Sequence, residues 1–206
     1  MVLKTITTKY QQVVASSQVA DGIASLLIRL YLAPVMLQAG WNKHTSFDNI
    51  VAWFGNTEWG LGLPFPELLA FLATYTELIG GVFLLIGLAT RLIAIPLAFT
   101  MLVAAFTVHW ENGWLAIADS SSWLADGTIL HNPSVMESAD KLAAAKSLLQ
   151  EHGHYDWLTS SGNFVILNNG IEFAMTYFVM LVALFFMGGG RFFSLDYWLT
   201  KRISKA

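Results

Sequence analysis

Six polar side chains stand where an apolar chain would ordinarily have none, and their spacing suggests one site. Arg29 and Glu77 lie inside long hydrophobic stretches. His109 closes another in "TVHW", and Glu172 opens a fourth in "NNGIEF". Gln38 and Trp41 sit at the end of the stretch that holds Arg29. Ionisable residues within a bilayer are costly, so they are usually paired or functional. Arg29 precedes Gly40 by eleven residues and Glu77 follows Leu68 by nine. At 1.5 Å per residue these are depths of roughly 16 Å and 14 Å from one membrane face. The matched depths predict a buried Arg29–Glu77 pair, since either charge alone is severely destabilising.

With Gln38 and Trp41 near that face, Arg29 and Glu77 would line a ligand pocket opening outward. His109 and Glu172 would exchange protons at its mouth, since histidine is the residue type most often used for proton transfer. Each residue also has a plainer role. The Arg29–Glu77 pair need only fix helix register. Asn169 three residues before Glu172 makes a capping box, and His109 suits a helix C-terminus. Gly80 and Gly81 share the Glu77 face, where they admit either a neighbouring backbone or a ligand.

The elements that position these residues are membrane helices. Hydrophobic residues make up 55% of the 206-residue chain and charged ones 12%, against about 25% charged in a soluble domain. Four stretches approach the roughly 20 apolar residues that a crossing needs: about 23–40, 68–89, 92–110 and 170–187. The expected fold is an all-α membrane protein, a four-transmembrane-helix bundle forming one domain over 1–206. Thr90-Arg91 is the only break between the second and third stretches. The first stretch reads as a retained signal-anchor, because residues 1–22 are polar.

With four crossings, Lys4, Lys9, Arg91, Arg191, Lys201, Arg202 and Lys205 share one side, opposite Lys43, Lys141 and Lys146. This excess places both termini in the cytoplasm and the larger loops outside a bacterial inner membrane. In the first outer loop, Ser46 would cap a short interfacial helix with Phe47, Ile50, Val51 and Phe54 on one face. The second, an extracytoplasmic insertion over 111–168, predicts an amphipathic helix at about 135–151. Its expected capping box is Ser134 with Glu137, and its stripe is Val135, Ala139, Leu142, Ala143 and Leu149.

No cysteine is present, so thiol redox pairs and thiolate metal ligands are outside the chain's own chemistry. Slight net acidity without a basic stripe argues against nucleic acid as a partner. His152, His154 and Asp156 in "HGHYD" are closely spaced, but in a loop they read as solvated surface rather than a metal site.

"TELIGGVFLLIGLATR", a histidine ending the next span and "GGGRFFSLD" after the last span together resemble the DoxX family. "LAPVMLQAGWNKH", "WFGNTEWGLGLPFP" and "IPLAFTMLVAAFTVHWENGWLAIA" resemble its HvfX-like subgroup more narrowly. The resemblance covers about 25–118 and 163–198. It implies a compact four-helix membrane bundle and a setting in membrane oxidoreductases or in systems that modify copper-binding peptides. It places recurrent polar positions at Arg29, Glu77, Arg91, His109 and Asp196, with Arg91 and Asp196 expected to pair structurally. The implied function is a subunit of a redox or metal-stress system, with a quinone-type ligand in the pocket, lipid around it and a protein partner or further copies beside it. Two other functions compete: a non-enzymatic scaffold recruiting a partner through 111–168, and a small-solute or metal transporter.

Overall fold

A computed structural model describes residues 9–11 and 21–205. The polar N-terminal segment with Lys4, which precedes the stretch read above as a signal-anchor, lies largely outside the described residues. The described chain is helical, contains no strand and divides into two compact units, Met1–Met101 with Tyr177–Ala206, and Leu102–Thr176.

The first unit is built from α1 (Asp21–Thr45), α2 (Phe47–Gly55), α3 (Pro66–Ile86), most of α4 (Thr90–Ala104), most of α8 (Glu172–Met187) and α9 (Leu195–Ile203). Among the described residues, three helices are long and apolar enough to cross a membrane: Gly22–Thr45, Pro66–Ile86 and Thr90–Asn112. The apolar α8, with 16 residues, is shorter. Leu32, Ala33 and Met36 of α1, Leu84 of α3, Leu97 of α4, and Leu181 and Leu184 of α8 form the core. Meanwhile Leu27, Leu72, Leu92 and Phe99 are at least half exposed, which suits a unit whose solvent is lipid. There the hydrophobic effect does not draw helices together, and close van der Waals packing must.

Glycines supply that packing between α1 and α3. A methyl on Gly40 would meet the Leu78 nitrogen and Thr74 oxygen of α3, and one on Gly81 would meet Leu37 of α1. Gly80 is filled by Leu97 of α4. Both glycines beside Glu77 thus admit a neighbouring helix, not a ligand.

The turn between α3 and α4 is Gly87–Ala89, earlier than the expected Thr90-Arg91 break. Gly87 takes the left-handed conformation at φ 67°, and its N–H and that of Leu88 bond back to the Leu84 and Phe83 carbonyls. Arg91 consequently lies in the first turn of α4. Ser46 makes no side-chain capping bond to α2, although Phe47, Ile50, Val51 and Phe54 do form that helix's less exposed face.

The second unit contains α5 (Pro133–Met136), α6 (Ser138–His152) and α7 (Tyr155–Leu158). Asn132, not Ser134, caps this stretch by accepting the Val135 N–H at 3.2 Å. Its inward positions are Val135, Ser138, Leu142 and Leu149, whereas Ala139 and Ala143 are exposed. Ser138 takes part because its hydroxyl bonds the Val135 carbonyl and so enters the interior satisfied.

Candidate functional site

Glu77 and Arg29 are both buried, at 2% and 0% exposure, but they do not meet. Glu77 Oε2 accepts a hydrogen bond from Lys43 Nζ at 2.6 Å. Arg29 works seven residues further along α3, where Nη1 donates to the Leu84 and Leu85 carbonyls at 3.0 and 3.3 Å and Nη2 to Phe193 at 2.8 Å. Lys43 and Arg29 are separated by fourteen residues of α1, roughly 21 Å. The depth match failed because α1 runs on to Thr45, five residues past its expected end. Lys43, assigned to a loop, is therefore a helix residue in register with Glu77.

Around this pair the two helices bring together a polar and aromatic cluster. His44 Nδ1 lies 3.4 Å from the Tyr75 hydroxyl, with the rings edge to face. Trp41 packs on His44 with ring centroids 5.7 Å apart, and Phe71 on Tyr75 at 4.5 Å. Thr74, one turn before Glu77, has a fully buried hydroxyl with no hydrogen-bond partner among the described residues. Gln38 and Trp41 are exposed, and Gln38 donates to Asn42 at 2.7 Å. Of the four expected pocket residues, Trp41 and Glu77 thus join one cluster, Gln38 sits beside it, and Arg29 belongs to the other end of the unit.

Lys43, His44, Thr74 and Tyr75 escaped the sequence reading. A signal for them existed in the antiparallel register. Stepping along α1 from Leu37 through Gly40 to Lys43 steps back along α3 from Gly81 through Leu78 to Glu77.

At the α3–α4 turn, Asp196 accepts the Ala89 N–H at 2.6 Å and the Thr90 N–H at 2.9 Å, one on each carboxylate oxygen. It thereby caps α4, where a negative charge is favoured by the helix dipole. Its own N–H bonds the Gly87 carbonyl at 3.0 Å. No salt bridge joins it to Arg91 among the described residues, so the expected pair is replaced by a cap. Ser25 secures the same end by donating to Gly188 O at 2.5 Å.

His109 and Glu172 both lie in the second unit. The last turn of the third apolar helix widens to a π-helix over Ala105–His109 and then tightens over Trp110–Asn112, a departure often associated with function. His109 Nδ1 sits 2.8 Å from the Asn169 carbonyl. A carbonyl only accepts, so Nδ1 carries the proton and Nε2 is the basic nitrogen of the neutral ring. Glu172 Oε2 accepts the Ala116 N–H at 2.9 Å, and Asn169 is at φ 58° with its N–H bonded to Ala116 O. The expected Asn169–Glu172 capping box is therefore absent. Both residues instead hold two chain segments together, 113–118 and 166–172.

Asn168 ties the same segments by donating to the Asn112 and Leu115 carbonyls at 2.7 and 2.6 Å. Gly170 is packed so closely that a methyl group would lie 2.5–2.6 Å from the carbonyl oxygens of Gly113, Trp114 and Leu115. Gly170→Ala should therefore cost about 1–3 kcal/mol by overpacking. It should also open the 111–168 segment to limited proteolysis, and an unchanged cleavage pattern and melting temperature would contradict this packing.

His152, His154 and Asp156 are exposed, and no group of three or more potential metal ligands gathers among the described residues. On the same unit, hydrogen bonds from Ser121 hold the Asp119 carboxyl below its ordinary range.

The DoxX family profile matches residues 24–110, which include Arg29, Lys43, Glu77 and His109. A Bacillus subtilis (strain 168) protein named "Putative oxidoreductase CatD" is 33% identical over 97 residues, which span 47% of this chain and 68% of that protein. No solved structure matches. Together with the apolar helices that carry Arg29 and the Lys43–Glu77 pair, these likenesses place the chain: it is a membrane protein of the DoxX family.

Proposed function

We propose that this chain is a subunit of a redox or metal-stress system in the bacterial inner membrane, and that the Lys43–Glu77 cluster handles protons for a quinone-type ligand. The observation that carries this reading is Glu77, a carboxylate 2% exposed inside an apolar helix, held by one ammonium. Such groups mark proton or ligand paths more often than scaffolding. Thr74, His44 and Tyr75 add exchangeable groups on the same two helices. The oxidoreductase name of CatD and the HvfX-like stretches favour a redox or metal-stress setting.

In this reading α8 is a fourth crossing, both termini are cytoplasmic, and the Lys43 end faces outward. Reduction of a quinone takes two electrons and two protons. A partner protein supplies the electrons, while Glu77 and Lys43 relay the protons. His109, through Nε2, and Glu172 are the second candidate pair for exchange.

Protein purified in native lipid should retain quinone on extraction and chromatography. Glu77→Gln and His109→Ala should each lower electron transfer with the partner by about a hundredfold, the lower end of the range for loss of an acid–base group. Quinone-free protein whose two variants keep full activity would end the reading.

A second reading is a scaffold that recruits a partner through 111–168. It is favoured by Trp123 and Trp157, each more than 60% exposed in this segment, because aromatic residues are enriched in binding surfaces. Deleting 120–160 should then abolish partner recovery while the membrane helices remain assembled.

A further inference from the structure

One oxygen of the buried Glu77 carboxylate is bonded and the other is not. Oε2 takes the Lys43 ammonium at 2.6 Å, while Oε1 accepts no hydrogen bond from the described residues. One turn earlier on the same face of α3 stands Thr74, fully buried, with a hydroxyl that has no partner among the described residues. Thr100 and Thr107, in the third apolar helix, each donate to the carbonyl four residues back, at 2.9 and 2.7 Å. Thr74 has the same option in the Ala70 carbonyl and does not take it. Gly40, opposite on α1, offers no side chain: a methyl there would lie 3.0 Å from the Thr74 carbonyl oxygen. A buried hydroxyl left without any bond is costly, so this one calls for a polar ligand.

Spacing identifies the ligand. Residues three apart on a helix have β-carbons roughly 5–6 Å apart, and Thr74 and Glu77 form no direct bond. One water, with hydrogen bonds of about 2.8 Å to each side chain, spans such a gap. Buried waters settle where polar groups lack other partners. We infer that one buried water joins the Thr74 hydroxyl to Glu77 Oε1, and that Thr74 is the positioning residue of this proton site. Each carboxylate oxygen then carries a donor, Lys43 on one and the water on the other. The role of the water rests on the proton-handling reading of Glu77: a proton reaches Oε1 through the water, which takes up one proton as it gives one away.

Thr74→Val keeps the side-chain shape and removes the hydroxyl. In the full-length protein in detergent it should lower the melting temperature by about 2–4 °C, the shift typical of losing one net hydrogen bond in a chain of this size. A hydroxyl that holds no water is a pure cost of burial. Its removal would then leave the melting temperature unchanged or raised, and either result overturns the inference. The second measurement is the acid-induced infrared difference spectrum in ordinary and in heavy-oxygen water. Protonation of Glu77 should perturb an O–H stretching band that moves with the heavier isotope. That band should be present in the wild type and Thr74→Ser, and absent from Glu77→Gln and Thr74→Val. A wild type without it, or a folded Thr74→Val that keeps it, would equally remove the water. Neither measurement uses quinone or an electron-transfer partner, so failure of the redox reading and failure of the water are told apart.

Discussion

Arg29→Met is expected to cost about 3–5 kcal/mol of stability, the range for breaking a buried charged network, and to lower the melting temperature by roughly 10 °C for a chain of this size. Arg29 is fully buried, and its guanidinium reaches three carbonyls, two in the last turn of α3 and one beyond the glycine run. The last carbonyls of a helix have no partner within it. Here Gly87 and Leu88 satisfy part of the set, and Arg29 takes the Leu84 and Leu85 oxygens as well. A cation is also favoured at this end of a helix dipole.

Methionine fills much of the volume but donates nothing, so acceptors away from water are stranded at about 1–3 kcal/mol each. Arg29→Lys keeps the charge, yet one compact ammonium cannot span carbonyls on two separate segments. It should recover less than half of the loss. Thermal unfolding in detergent compares the three proteins. Equal melting temperatures for wild type and Arg29→Met would remove Arg29 as the clasp of this end.

The same end shows what a single sequence reveals and what it conceals. Apolar runs of helical length are visible in composition, and three of them are helices long enough to cross a membrane. The glycines at positions 80 and 81 admit a close approach in the sequence, and a neighbouring helix occupies both. Partner identity was the harder matter, because it depends on register. Placing the end of α1 at Gly40 instead of Thr45 moved Lys43 into a loop and left Arg29 as the apparent partner of Glu77. An error of five residues exchanged one ion pair for another.

The caps failed for a related reason. Ser134 and Asn169 have the right neighbours for capping boxes, but Asn132 caps α5 two residues before Ser134, and the Glu172 carboxylate is taken by the Ala116 N–H across 56 residues. Asp196 as the cap of α4 is separated from it by 106 residues, a distance over which no local pattern carries information. Of the cluster, Glu77 and Trp41 were thus legible in the sequence, while Lys43, His44, Thr74 and Tyr75 and the pairings among them were not.

The Lys43–Glu77 pair yields the second large effect, and it separates stability from function. Lys43→Met leaves Glu77, whose side chain is 3% exposed, as a carboxylate without its cation, and should cost about 3–5 kcal/mol. Glu77→Leu should cost less, because Lys43 is already 25% exposed and its long stem can carry the ammonium toward water. The double variant Lys43→Met/Glu77→Leu removes both charges and fills the space with apolar atoms, so it should return to within about 1–2 kcal/mol of the wild type. The coupling between the two positions, measured by thermal or denaturant unfolding of all four proteins, should be about 2–3 kcal/mol. Strictly additive losses would show that the two side chains do not depend on one another. A stable double variant would also establish that the bundle does not need this pair in order to fold. Loss of electron transfer in that folded protein would then belong to the missing acid and base, which is the distinction that neither single substitution can make.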